Sequence, residues 1–133
     1  MGCVYSLTLH DRDGGSFFHI GMFGAYAQAE DVAADYCRNV KGFKDYPFEA
    51  VIEEVPVVEY KCSTQTVYRW CGWNEDDFGD EVDIVAGDCY LLRTMAVESM
   101  ERAKIETPRE EWALNAYFLG ECLWQEGFVR EDD

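Results

Sequence analysis

The sequence predicts an α+β fold, with a mostly antiparallel sheet of about five strands and two helices packed on one face. Three observations carry that expectation. Short stretches alternate apolar and polar residues with period two, and turn residues bound them. Two other stretches repeat apolar residues at helical spacing. Finally, the 133 residues are 48% hydrophobic and 15% aromatic, enough material for one core.

The first strand is Val4 to Leu9, where Tyr5, Leu7 and Leu9 alternate with Val4, Ser6 and Thr8. Asp11-Arg12-Asp13-Gly14-Gly15 follows as a hairpin connection, because these residues tolerate positive φ. Phe17 to Phe23 is the second strand, with Phe18, Ile20 and Met22 on one face and His19 beside Phe17 on the other, as a half-buried sheet residue. Ala29, Val32, Ala33, Tyr36, Cys37 and Val40 then mark a helix. Glu30 and Asp31 are placed in its first turn and Arg38 and Lys41 at its end, complementing the helix dipole, with Gly42 as the stop. Phe43 and Tyr46 of the next loop are expected to fold back on the core.

A third strand runs from about Phe48 to Val58, with Pro56 bending it or marking an edge. Thr66 to Trp73, rich in β-branched and aromatic residues, is a fourth. Cys89, Leu92, Ala96, Met100 and Ala103 mark a second helix of about four turns. Thr107-Pro108-Arg109-Glu110 has the marks of a helix start, yet Trp112 to Leu119 reads equally well as a strand. The reading adopted is one short turn and a strand from Ala113 to Glu121. Trp124 to Val129 closes a single domain, 1–133, before the acidic tail Glu131-Asp132-Asp133.

Charge restricts the partners. With 27 acids against 11 bases, the net charge is −16, which repels nucleic-acid phosphates and anionic lipid headgroups and attracts basic proteins. Abundant aromatics argue against a disordered acidic chain. No apolar run is long enough to cross a bilayer, and no secretory signal is read at the N-terminus, so a cytoplasmic location is expected. The six cysteines are scattered without a Cys-x-x-Cys pair and read as reduced thiols. With two histidines and no Cys/His cluster, no metal and no cofactor are expected. Neither a G-x-S-x-G turn, a phosphate-binding Gly loop nor an H-E-x-x-H helix is present, so the chain reads as a binding protein, not an enzyme.

The densest chemistry lies at 74–83, which contains six acids and no base. It fails as a calcium loop, since Phe78 stands at the fifth position, where a ligand belongs, and Val85 at the twelfth, where a Glu is needed. Acids interleaved with aromatics suit a protein interface: the rings bury area at low entropic cost and the charges select the partner. The candidate partner-binding residues are Trp73, Glu75, Asp76, Asp77, Phe78, Asp80, Glu81 and Asp83. Solvated acids with aromatics tucked into the core are the alternative.

Val4-Tyr5-Ser6-Leu7, Ile20-Gly21-Met22-Phe23, Gly42-Phe43-Lys44-Asp45-Tyr46-Pro47-Phe48 and the ending Trp124-Gln125-Glu126-Gly127-Phe128 resemble, in that order, a small bacterial and phage domain family. Its members look like the immunity-type proteins found beside bacterial toxins. The resemblance covers roughly 3–55 and 113–129 and implies an inserted segment at about 60–112. It also favours the strand reading of 113–121. What it implies is an inhibitor of a cognate toxin protein, expected from the charge to be a basic nuclease domain, with the 74–83 acids standing in for substrate phosphates and Trp73 and Phe78 as apolar anchors. The alternative is a phage-encoded decoy that mimics DNA charge to disarm a host defence nuclease.

Overall fold

The computed structural model describes residues 2–13, 15–58 and 66–123. Its elements are β1 (Gly2–Asp11), β2 (Phe17–Phe23), α1 (Tyr26–Asn39), β3 (Phe48–Val58), β4 (Thr66–Glu75), β5 (Glu81–Ala86), β6 (Cys89–Tyr90), α2 (Arg93–Glu106) and β7 (Glu111–Phe118). The class is α+β, with seven strands among the described residues where about five were expected. The pairing is mixed: β6 runs parallel to the end of β3, with Val57 opposite Cys89 and Val58 opposite Tyr90. Both additional strands evade local pattern reading. Cys89-Tyr90 is too short to carry a period, and β5 is masked by the acids at its start. Met1, Gly14, the stretch 59–65 with Cys62, and the expected closing segment Trp124–Val129 with its acidic tail lie outside the described residues.

The chain divides into two compact units, one built from Cys3–Val55 with the segment after Leu119, the other from Pro56–Phe118. In the first unit the strand order is β2-β1-β3. Its core joins Leu7 and Leu9 of β1, Ile20 and Phe23 of β2, Ala29, Ala33 and Tyr36 of α1, and Phe43. The β1 alternation holds, with Tyr5, Leu7 and Leu9 directed to this core. In β2 it does not. Leu7 pairs with Gly21 and Thr8 with His19, so Ile20 is an extra residue, a β-bulge. The slip carries Met22 to the face opposite the core, beside Ser6, and brings His19 Nε2 within 2.9 Å of Ser6 Oγ.

α1 begins at Tyr26, earlier than the apolar spacing suggests, so Glu30 and Asp31 fall outside the first turn. Arg38 keeps its place in the last turn, but the helix stops at Asn39 with an extended Val40 as its cap, so Lys41 and Gly42 lie beyond it in the next turn, where Gly42 takes φ 94°. Phe43 is buried among the rings of Phe18, Tyr36 and Phe48, whereas Tyr46 stays 65% exposed instead of folding back. Pro56 does not interrupt β3; the strand continues through buried Val57 to Val58, and the second unit starts at that proline. The last strand ends at Phe118, short of Glu121. Gly120 turns the chain at φ 86°, and the Gly120 and Leu123 N–H groups donate to Met22 O and Ile20 O, each at 2.7 Å, laying 119–123 along β2.

In the second unit β4 is central. β7 lines one side over Thr66–Trp73, while β6 and β5 share the other. α2 starts at Arg93, so Cys89, expected in this helix, belongs to β6. Thr107 closes α2 instead of opening a new helix: its hydroxyl donates to Ala103 O at 3.1 Å. The five described cysteines carry free thiols. Among the described residues no helix is long and apolar enough to cross a membrane.

Candidate partner-binding face

Strand alternation divides the β4 side chains between two environments. Trp70 and Gly72 face α2 together with Trp112, the cross-strand partner of Gly72. The Trp70 and Trp112 rings lie 5.8 Å apart. Gly72 makes room for this pair, since a Cβ there would sit 2.6 Å from the Trp112 ring, and Gly87 leaves the same room for Trp70. The Trp70 indole N–H donates to Ser99 Oγ of α2 at 2.8 Å, and the Tyr90 hydroxyl reaches the same oxygen at 2.9 Å. Packing and polar pairing thus fix the orientation of β4.

The opposite face carries Val67, Arg69, Cys71, Trp73 and Glu75 of β4, with Tyr117, Asn115, Ala113 and Glu111 beside the first four. It is buried at Val67, half-buried through Trp73, and exposed at Glu75, Glu81 and Glu111. Arg69 Nε donates to Gly87 O at 2.6 Å. Burial raises the Cys71 thiol above its usual pKa, and Glu81 pushes the same way against Arg69. Burial likewise raises the Tyr117 hydroxyl.

β4 and β5 form a hairpin around the acidic stretch, and its eight candidate residues fall into three groups. At the tip Asp76 is the organiser: its Oδ1 accepts the N–H groups of Phe78 and Asp80, each at 2.9 Å, and its own N–H donates to Asp80 O at 3.0 Å. Gly79 takes φ 81° in this turn. Asp77, Phe78 and Asp80 project from it, with Phe78 90% exposed. Lower down, Gly72 pairs with Val85 and Asn74 with Val82, so Asp83 and Ile84 together oppose Trp73 in a bulge. Asp83 takes φ 53° there and accepts a hydrogen bond from Asn74 Nδ2 at 3.3 Å. Asp76 and Asp83 therefore shape the hairpin. Trp73, Glu75 and Glu81 form the third group, on the face away from α2.

The loop before β7 braces the hairpin base. Glu110 N–H donates to Asn74 Oδ1 at 3.0 Å, and Glu75 N–H donates to Glu110 Oε1 at 3.1 Å. Arg109 Nε donates to Asp83 O, and its Nη1 reaches Pro108 O at 3.0 Å. Arg109, at the hairpin root, thus serves backbone carbonyls. Among the described residues no Lys or Arg pairs with Glu75, Asp77, Asp80, Glu81 or Glu111. No group of three or more His, Cys, Asp or Glu among them is arranged to hold a metal ion.

Sequence reasoning missed Asn74, Arg109, Glu110 and Glu111. Asn74 lies in the acidic stretch but carries no charge to single it out, and Arg109, Glu110 and Glu111 reach the hairpin from across α2, which no local pattern records. No protein-family model, curated protein or solved structure matches the chain.

Proposed function

We propose that this protein is an immunity-type inhibitor that acts in the cytoplasm by binding a basic toxin domain, a nuclease by the logic of charge. The observation that carries the reading is a braced hairpin whose outward carboxylates, Glu75, Asp77, Asp80 and Glu81, have no cationic partner among the described residues, beside the 90% exposed ring of Phe78. Unneutralised acids held in one place repel one another, and a cationic partner relieves that repulsion. An exposed aromatic at the tip adds apolar area that a receptor pocket can bury. Asp76, Asp83, Arg109 and Glu110 hold the hairpin in shape, which lowers the ordering cost of association. The motif order from Val4-Tyr5-Ser6-Leu7 to Gly42-Phe43-Lys44-Asp45-Tyr46-Pro47 resembles immunity-type domains and supports the same reading.

The test is a pull-down and titration against the product of the adjacent gene, with the triple variant Glu75→Lys, Asp77→Lys, Glu81→Lys. Affinity should fall by several kcal/mol, since like charges across an interface are costly. Equal binding and equal protection of cells by parent and variant would remove the hairpin from the interface. Phage structural genes as neighbours, with inhibition of a host defence nuclease, would replace the immunity reading with the charge-mimicking decoy.

A further inference from the structure

The face that carries Trp73 points to a narrower kind of contact than general attraction between an acidic and a basic surface. Trp73 and Glu111 are cross-strand partners in an unbroken register, so both side chains stand on the sheet face away from α2. Glu75 follows Trp73 by two residues on the same face and pairs with Glu81. The half-buried indole is thus bordered by three exposed carboxylates from three strands. None of the three is engaged by a base among the described residues, and Arg69 of β4, on the same face, donates through Nε to Gly87 O.

An aromatic face attracts a cation through its quadrupole, and the indole does so best. A planar guanidinium can stack on that ring and still donate to carboxylates at its edge, whereas an ammonium offers only a point charge. We infer that Trp73, Glu75, Glu81 and Glu111 form a subsite for an arginine side chain of the protein partner, stacked on the indole and hydrogen-bonded to the surrounding glutamates. The inference rests on the inhibitor reading and deepens it. It adds Glu111 to the interface and makes Trp73 a cation platform in place of a purely apolar anchor.

Acetylated, amidated hexa-arginine and hexa-lysine peptides are the probes, titrated into the full chain at low salt while the indole N–H resonances are followed. Trp73→Phe assigns the Trp73 resonance, and thermal melts verify that each variant is folded. Hexa-arginine should shift the Trp73 resonance and bind more tightly than hexa-lysine. Trp73→Leu and Glu111→Gln should each weaken hexa-arginine about three- to fivefold. An unmoved Trp73 resonance, equal affinity for the two peptides, or unchanged binding by folded Trp73→Leu and Glu111→Gln would overturn the subsite. If hexa-arginine binding instead depends on Asp77 and Asp80 and ignores Trp73, the subsite fails while acidic docking stands. If the subsite behaves as expected and the parent chain does not bind the adjacent gene product, the inhibitor reading fails and the arginine site survives it.

Discussion

Glu75 and Glu81 face each other directly across the β4–β5 hairpin, two like charges in one cross-strand pair. Opposed carboxylates destabilise a hairpin, so Glu81→Gln should stabilise the fold by about 0.5 kcal/mol while weakening a cationic partner. Chemical denaturation and a binding titration on the same variant check this trade. A variant that loses stability would show that the pair does not repel.

Asp76 and Asp77 are adjacent acids with different work. Asp76 accepts two backbone N–H groups in the turn, whereas Asp77 has no partner there. Asp76→Ala should lower stability by about 1–2 kcal/mol and Asp77→Ala by less than about 0.5 kcal/mol. Urea midpoints of the two variants, compared directly, decide the matter.

Ser99 receives the Trp70 indole and also touches the Tyr90 hydroxyl. Ser99→Ala leaves a buried indole N–H without a partner, a loss of about 1–3 kcal/mol. Altered tryptophan emission should accompany it; unchanged emission and an unchanged melting temperature would contradict the shared hydrogen bond.

Gly72 must stay small because the Trp112 ring occupies the space its Cβ would need. Gly72→Ala should displace Trp112 and destabilise by about 1–3 kcal/mol, measured by denaturation. A neutral result would mean that the ring relocates freely.

Stability should also fall on the alkaline side. Burial raises the thiols of Cys37 and Cys71 and the hydroxyl of Tyr117 above their usual pKa values. A raised folded-state pKa means the folded chain prefers the protonated form. The stabilisation is complete below the unfolded pKa and is lost as pH rises from about 9 through the folded value. Cys71→Ala should flatten part of that decline, and the Cys71 thiol should alkylate slowly near pH 8, since the thiolate is the reactive form.

The first four strands, both helices and the acidic stretch were legible in the residues themselves. Each is written in neighbours a few positions apart: Tyr5, Leu7 and Leu9 by period two, Ala29, Ala33 and Tyr36 by helical spacing, and the 74–83 acids by simple density. Tertiary structure decided the rest. The bulge at Ile20 chose the face of Met22, and parallel pairing with β3 made a strand of Cys89-Tyr90. β7 brought Glu111 to Trp73 from across α2. These outcomes depend on register between strands distant in sequence, where a one-residue slip reverses every side chain and no local pattern records the choice. The same pairing sorted the acids, assigning Asp76 and Asp83 to the hairpin's own geometry and leaving Glu75 and Glu81 turned outward.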